Sequence, residues 1–342
     1  MQAAHLIEPG RVEVRTVEEP IPGPGEVVVR VERALTCGTD LKAFRRGHPF
    51  IPMPGPFGHQ YSGTIASAGV DVPKSLRDPI PIWGVHSAPC GECLLCQKQR
   101  WNLCLRLGEE MAIGAFTQFL RIPARVVKHS LLPRPPLVVA ERAAFLEPVS
   151  CVVHALELID WRGVDRILVL GLGAMGLLFT RLIPRYTNAS IVAAGRNDRR
   201  LELARRDQVD RVIDIDVAPI AESEGHIDGY DCVIECTGKD AGWRTACDAV
   251  RPGGQVLFFG GLPKGTTFAI DTYRLHYEET CMRGCFHFSP LDVSRAAEHL
   301  TDPALVIDDL LSGRVPLDGL EKALLDMESG RGIKYAIDPW QQ

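Results

Sequence analysis

The segment RILVLGLGAMGLLFTRL, residues 166–182, decides the fold of the second half of the chain. An apolar run that predicts a buried strand leads into G-x-G-x-x-G, and an apolar run of helical length follows. In this context the first glycine permits a tight turn, the second lets the backbone approach a pyrophosphate, and the third lets helix and strand pack closely. The segment therefore predicts a dinucleotide-binding loop. Its residues are Gly171, Gly173, Ala174, Met175 and Gly176.

Strands and helices alternate on both sides of this loop. A buried helix is predicted in PVSCVVHALELI before it. After it, strand-like and helix-like segments follow one another: IVAAG, RRLELARRD, DCVIECT, GWRTACDAV and QVLFFG. Such alternation is typical of a parallel, doubly wound sheet with helices on both faces.

The first third of the chain has a different pattern. EVVVRVERAL, residues 26–35, alternates apolar and polar residues as a half-buried strand does. Proline and glycine interrupt the neighbouring segments PIPGPGE, PFIPMPGPFGH and RIPARVV. This region is predicted to be a compact β-domain with several loops.

Helix starts and a strand are predicted near the end of the chain. Ser289 and Pro290 favour a helix start, because serine caps a helix and proline suits its first position. Asp318 and Glu321 have the spacing of a capping box before KALLDME. GIKYAID is predicted to form a closing strand.

Composition limits the classes of function. A chain of 342 residues has room for two domains of ordinary size. The formal net charge of −5 and the absence of a block of like charges argue against nucleic acid or a membrane surface as the partner. The first residues lack the pattern of a signal peptide, so the eleven cysteines are interpreted as thiols and metal ligands, and the protein is expected in the cytoplasm.

Four cysteines are closely spaced in CGECLLCQKQRWNLC. They form C-x2-C-x2-C-x7-C and are Cys90, Cys93, Cys96 and Cys104. Four thiolates suit a closed tetrahedral zinc site, which leaves no position for a substrate and is therefore structural. An iron–sulfur cluster also uses four cysteines. A nucleic-acid finger is disfavoured by the acidic charge and the lack of a basic stripe.

The end of the second predicted strand of the dinucleotide-binding region bears on the cofactor. NAD-binding folds normally place a carboxylate about twenty residues past the glycine loop, where it binds the ribose hydroxyls. Here Gly195 is followed by Arg196, and Arg200 comes one helical turn later. Arginine binds a 2′-phosphate through charged hydrogen bonds, so NADP is predicted as the cofactor and NAD is less favoured. Asp198 works against this prediction.

The order of the motifs resembles that of the zinc-containing medium-chain alcohol dehydrogenases, in the branch of sorbitol, threonine and other polyol dehydrogenases. The resemblance rests on GEVVVRVERALTCGTDLKAF, GHQYSG, the four-cysteine segment, EPVSCVVHAL, the glycine loop and VRPGGQVLFFGG. It implies an α/β protein with a GroES-like catalytic β-domain and a doubly wound, parallel-sheet Rossmann domain. The implied bounds are 1–150 with 289–342 for the first, including a zinc lobe at 88–106, and 151–288 for the second.

The same resemblance implies a catalytic site. Cys37, His59 and Glu147 match the family's catalytic zinc ligands, and Thr39 matches the hydroxyl residue of its proton relay. Together with the cysteine lobe this implies two zinc ions per subunit. Two positions depart from the family, since Gln60 stands where glutamate is common and Lys42 where histidine is common.

The implied activity is hydride transfer between NADP(H) and a secondary alcohol or polyol, or the corresponding ketone. The expected partners are this small substrate and further copies of the chain, as a homodimer or homotetramer. An aldehyde or ketone reductase and an amino-alcohol dehydrogenase of the threonine type are the alternatives among enzymes. A cofactor-binding scaffold without activity is the alternative outside them, and the joint presence of Cys37, His59 and Glu147 argues against it.

Overall fold

The computed structural model describes residues 1–77, 79–218, 220 and 228–341. The chain forms two units, Met1–Cys151 with His287–Gln342, and Val152–Phe286. The strands before the second unit are β1 (Gln2–Glu8), β2 (Arg11–Thr16), β3 (Val27–Leu35), β4 (Gly55–Pro56), β5 (Tyr61–Ala68), β6 (Pro81–Gly84), β7 (Phe119–Ile122) and β8 (Leu132–Pro133). The helices are α1 (Gly38–Arg46), α2 (Leu94–Gln97), α3 (Ala124–Ser130), α4 (Ala140–Ala143) and α5 (Leu146–Leu156).

The second unit contains one six-stranded sheet. Its elements are β9 (Arg166–Leu170), α6 (Ala174–Leu182), β10 (Ser190–Gly195), α7 (Asp198–Arg206), β11 (Arg211–Asp214), β12 (Tyr230–Glu235), α8 (Asp240–Ala249), β13 (Val250–Phe258), α9 (Thr272–His276) and β14 (Cys281–Gly284). The strand order is β11-β10-β9-β12-β13-β14, and every pairing is parallel. The predicted doubly wound parallel sheet is confirmed.

The chain then returns to the first unit. The returning elements are α10 (Pro290–Thr301), β15 (Leu311–Val315), α11 (Leu320–Glu328) and β16 (Lys334–Ile337). They complete a sheet of order β15-β16-β3-β5-β6-β8, in which β7 also pairs with β3. A smaller sheet has the order β2-β1-β4.

Strand β3 is the centre of the first unit. It is the predicted strand of residues 26–35, and it pairs with β5, β7 and β16. Val27, Val29 and Val31 are completely buried in an apolar core that includes Phe57 and Phe116. The prediction of a β-rich first domain is confirmed.

The two predicted helix starts near the end of the chain have different outcomes. Ser289 caps α10, and Ser289 and Asp292 form a capping box. The capping box predicted for Asp318 and Glu321 is wrong. Asp318 lies inside the short 3₁₀ turn Leu317–Gly319, which places Gly319 at the cap of α11, and Glu321 instead accepts a hydrogen bond from the backbone of Val12 at 3.2 Å.

The glycine loop joins β9 to α6 with little free space. Gly171 has φ of 102°, a conformation that glycine adopts readily and other residues rarely do. A Cβ on Gly176 would lie 1.9 Å from the carbonyl oxygen of Gly171, whereas a Cβ on Gly173 would have no neighbour within 4 Å. The third glycine is therefore required by the packing of the helix against its own turn.

We expect Gly176→Ala to destabilise the protein by about 1–3 kcal/mol, because the backbone must move to admit the methyl group. Gly173→Ala is the matched control and is expected to cost less, up to about 1 kcal/mol, because Gly173 caps α6 without a steric clash and alanine is only a poorer cap. Urea unfolding measures both. Equal stability of the two variants would contradict the packing role of Gly176.

Candidate active site

The four cysteines predicted to bind zinc lie together in the first unit. Their sulfur atoms all lie within 4.8 Å of one another. Cys90 Sγ is 3.9 Å from Cys96 Sγ, and Cys93 Sγ is 4.0 Å from Cys104 Sγ. Tetrahedral zinc with bonds of about 2.3 Å to sulfur places its ligands about 3.8 Å apart. The donor set therefore fits a closed zinc site.

Backbone amides surround these sulfur atoms. The N–H of Cys90 donates to Cys104 Sγ at 3.2 Å, and the N–H of Arg106 donates to the same sulfur at 3.4 Å. Hydrogen bonds from the backbone of Cys96 and Leu105 lower the pKa of Cys93 to about 6. Because the thiolate is the form that binds metal, these amides favour metal binding.

A second group of possible metal ligands consists of Cys37, Asp40 and His59. Cys37 caps α1 and its Sγ accepts a hydrogen bond from the backbone of Thr39 at 3.2 Å. Asp40 is buried, and its two oxygens contact Cys37 N and His59 Nδ1, each at 2.9 Å. With Nδ1 bound to a carboxylate, Nε2 is the nitrogen of His59 that is left to bind a metal.

Charges around His59 favour a cation. Burial opposes ionisation of Cys37, but the charge and hydrogen bond of His59 outweigh it and lower the thiol pKa. Burial also opposes protonation of His59, yet Asp40 and Cys37 raise its pKa well above the ordinary value. Asp40 and Cys37, which stabilise a proton on His59, would likewise stabilise a metal ion.

Glu147, the third predicted catalytic ligand, lies in the first turn of α5 and is buried. It lies outside the group formed by Cys37, Asp40 and His59, but His86 is adjacent to both. The ring centroids of His86 and His59 are 5.1 Å apart, and His86 Nδ1 is 3.9 Å from Glu147 Oε1. The structure thus brings Cys37 and His59 together directly. Glu147 lies beside His86, which contacts His59 and is 3.9 Å from Glu147.

A buried chain of polar groups holds Glu147. Lys334 Nζ donates to Thr36 O at 2.5 Å and to Gln60 Oε1, and Gln60 Nε2 donates to Glu147 Oε2 at 2.5 Å. Lys334 is only 1% exposed, and burial lowers its pKa against the opposing charges of Cys37, Glu147 and Asp40. Lys334 thus holds the amide of Gln60 in place, and the amide in turn orients the carboxylate of Glu147.

The two predicted relay residues lie on α1 beside Cys37. Thr39 is partly exposed, and Lys42 is exposed one turn further along the helix. Thr39 therefore lies close to the possible metal ligands Cys37, Asp40 and His59, whereas Lys42 lies on the surface of the first unit.

Sequence reasoning missed three site residues: Asp40, His86 and Lys334. Asp40 follows Cys37 by the three-residue spacing of a capping box, which was a usable signal. Lys334 is a lone charge within an apolar closing strand, and buried lysine normally requires partners. His86 follows a buried strand immediately before the cysteine segment and gave no signal of its own.

The predicted cofactor residues line a pocket of about 500 Å³ in the second unit. Gly171, Gly173, Gly195, Arg196 and Arg200 contribute to its wall. The other three predicted loop residues occupy the start of α6. They are Ala174, Met175 and Gly176.

The two arginines differ in their surroundings. The side chain of Arg196 is 63% exposed, and its Nε is 3.0 Å from Asp216 Oδ1. Arg200 is partly buried, and burial lowers its pKa. The carboxylate that pairs with Arg196 is therefore Asp216, which sequence reasoning overlooked in favour of Asp198.

Gly195 also has a packing role. A Cβ at this position would lie 2.7 Å from Cγ and 2.8 Å from Cβ of Leu172 in the glycine loop. Any larger residue must displace Leu172, so the missing carboxylate at the end of β10 has a structural cause as well as a cofactor-related one.

Comparisons with known proteins agree with this architecture. Residues 23–133 match the alcohol dehydrogenase GroES-like domain, and residues 173–302 match the zinc-binding dehydrogenase family. The L-threonine 3-dehydrogenase of Rhizobium etli strain CIAT 652 is 27% identical over 330 residues, which cover 93% of each chain.

Two solved structures match almost the whole chain. A protein described as a zinc-binding dehydrogenase from Sinorhizobium meliloti 1021, bound to NADP, has a TM-score of 0.87 at 27% identity and 99% coverage of both chains. An alcohol dehydrogenase from Thermus sp. ATN1 has a TM-score of 0.87 at 25% identity with the same coverage.

The fold and the grouped cysteine and histidine donors define a zinc-type oxidoreductase. The chain belongs to the zinc-containing medium-chain alcohol dehydrogenase family, as its motifs predicted. Among the helices of the described residues, none is long and apolar enough to cross a membrane.

We expect about two zinc ions per chain in protein purified without chelator. Cys93→Ser and Cys37→Ser should each remove one, and Cys93→Ser should also lower the Tm, because a structural zinc site contributes folding energy. Cys281→Ser, at an exposed cysteine of β14, is the control. Elemental analysis measures the metal. One zinc or fewer in the unmodified protein would contradict the catalytic site, and iron in place of zinc would support the cluster alternative.

Proposed function

We propose that the protein transfers a hydride between NADP(H) and a secondary alcohol or polyol, or the corresponding ketone, with the help of a catalytic zinc ion. The grouping of Cys37 with the buried side chains of Asp40 and His59 is the observation that carries this proposal. A scaffold without activity has no need for a thiol and a buried carboxylate around a buried histidine.

Cys37, His59 and Glu147 would hold the catalytic zinc, and the closed cysteine site would hold a second, structural one. When bound, zinc supplies Lewis-acid polarisation of the alcohol oxygen and the nicotinamide ring accepts the hydride. Asp40 orients the ring of His59 through Nδ1. The chain from Lys334 through Gln60 orients the carboxylate of Glu147.

Thr39 is proposed to take up the proton released by the alcohol. Its hydroxyl follows Cys37 by two residues at the start of α1, so it lies near the proposed ligand. Lys42, which replaces the family's histidine, is exposed and can pass the proton to solvent.

NADP is the proposed cofactor because Arg200 lines the pocket beside the glycine loop. Arg196 lines the same pocket, but its pairing with Asp216 reduces the charge that it offers to a phosphate. The solved relative from Sinorhizobium meliloti was obtained with NADP, which agrees with this choice.

A second candidate is an amino-alcohol dehydrogenase. The similarity to proteins named L-threonine 3-dehydrogenase favours it. Lys42, in place of the histidine common in that branch, counts against a close analogy. An alcohol panel that includes threonine separates the two, and the same assay run with ketones and NADPH tests the reductase direction.

A homodimer or homotetramer in the cytoplasm is part of the proposal. Strand β14 pairs only with β13 among the described strands, so its outer edge is a place where another copy can add. Eleven cysteines, none in a disulfide within the described residues, agree with a reducing compartment.

We expect turnover of alcohols with NADP, followed at 340 nm, with kcat/KM higher than with NAD by roughly 10–150-fold. This range corresponds to one charged hydrogen bond of about 1.5–3 kcal/mol. Arg200→Ala should reduce the NADP/NAD ratio more than Arg196→Ala, because Arg200 is the less exposed of the two. Arg199→Ala, exposed on the same helix, is the control. Equal or better use of NAD by the unmodified enzyme would overturn the cofactor assignment.

Glu147→Ala should abolish turnover, whereas Gln60→Ala should reduce it by about 10–100-fold, as expected for a residue that orients a metal ligand. Gln60→Glu is the matched variant, since it keeps the acceptor for Lys334 but loses the N–H donor to Glu147. Steady-state kinetics and zinc content measure each variant. If Gln60→Ala were as inactive as Glu147→Ala, the assignment of Glu147 as a ligand would be wrong or incomplete.

A further inference from the structure

His86 is held among aromatic rings in the first unit. It follows β6 by two residues and is only 7% exposed. Its ring meets His59, His287 and Phe288 edge-on, with centroid separations of 5.1, 5.2 and 5.7 Å. These three contacts fix the plane of the imidazole.

One ring nitrogen of His86, the buried Nδ1, is not used for hydrogen bonding by the described part of the chain. Glu147 Oε1, at 3.9 Å, lies beyond hydrogen-bonding distance. Buried polar atoms almost always have a partner, so an exception requires an explanation, and a bound ligand is one.

His287, next to His86, is held in an unusual conformation. Its φ of 63° lies in the left-handed region, which non-glycine residues rarely occupy. Nε2 of His287 is 2.6 Å from Ser87 Oγ, and its ring stacks on Phe288 with a centroid separation of 4.0 Å. Strained backbone that is fixed in this way is found mainly at functional sites.

The position of His86 relates it to the proposed chemistry. Its ring contacts His59, and its Nδ1 is 3.9 Å from Glu147 Oε1, so it lies beside two of the three proposed ligands of the catalytic zinc. A substrate oxygen bound at that metal would bring the neighbouring carbon of the substrate towards the two imidazoles. Phe288 provides an apolar surface for the carbon skeleton at the same place.

We propose that His86, with His287 beside it, binds a second hydroxyl group next to the carbinol that reacts, so that the enzyme selects vicinal diols and sugar-like polyols. A hydroxyl both donates and accepts, and therefore suits either nitrogen of a neutral imidazole. This inference rests on the proposed function, because the proposed zinc ligands place the reacting oxygen beside His86. If His86 were only a packing residue, phenylalanine of similar shape would replace it without a change in specificity.

The test compares vicinal diols with alcohols that lack one hydroxyl. The pairs are 1,2-propanediol with 2-propanol, 2,3-butanediol with 2-butanol, and cyclohexane-1,2-diol with cyclohexanol. The unmodified holoenzyme is expected to favour the diols in kcat/KM. In His86→Phe the ratio of diol to mono-alcohol kcat/KM should fall by about 10–100-fold, and His86→Asn should retain part of it because asparagine keeps a donor and an acceptor.

His129→Phe, at a partly buried histidine on α3, is the control and should leave the ratio unchanged. A diol preference that persists in His86→Phe, or no diol preference in the unmodified enzyme, overturns this inference and leaves the proposed function standing. An absence of turnover with every alcohol of the panel overturns the proposed function and this inference with it. If His86→Phe does not fold, His86→Asn is compared with His129→Phe. A lower diol preference in His86→Asn supports the inference, and an equal preference in the two variants overturns it.

Discussion

The hydrogen bonds of Asp40 connect the parts of the first unit on which its chemistry depends. One carboxylate oxygen accepts from the backbone of Cys37 at the start of α1, and the other contacts Nδ1 of His59 just before β5. A buried carboxylate is stable only where both oxygens have partners. Asp40 therefore links the cysteine to the histidine, and its contact with Nδ1 leaves Nε2 as the nitrogen of His59 that could bind a metal. Cys37 and His59 are 22 positions apart in the sequence, and the antiparallel pairing of β3 with β5 brings their segments together beside Asp40.

The order of strands and helices was predictable, because the periodicity of apolar residues and the glycine loop are local properties of the chain. Cys37, His59 and Glu147 were accessible only through the resemblance of the whole motif series, since their spacing in the sequence carries no geometric information. The lone charge of Lys334 in an apolar strand indicates buried partners, but neither those partners nor the position of His86 was predictable, because both depend on contacts with residues far away in the chain. Local patterns can also mislead. Asp318 and Glu321 have the spacing of a capping box, but a short 3₁₀ turn places Gly319, not Asp318, at the cap of α11.

The replacement of a family glutamate by Gln60 is understandable from the charge of its neighbours. Lys334 is a buried cation among three acidic groups, Cys37, Asp40 and Glu147. A glutamate at position 60 would add a further negative charge to a region that water does not reach, directly beside Glu147. The amide of Gln60 instead accepts from Lys334 and donates to Glu147, so both charged groups have a partner and no charge is added. A neutral side chain at position 60 therefore gives both Lys334 and Glu147 a hydrogen-bond partner.

In the second unit, the missing carboxylate at position 195 is a weaker argument for NADP than the presence of Arg200. The absence of a carboxylate at position 195 indicates NADP, but any side chain there would have to displace Leu172, whichever cofactor binds. Gly195 would be expected in an NAD enzyme with the same leucine in its loop. Arg196, the next residue, is engaged by Asp216 and is mostly exposed. What remains as a positive argument is Arg200, a partly buried cation in the wall of the pocket. A phosphate group in this pocket could be bound by Arg200 through charge-assisted hydrogen bonds.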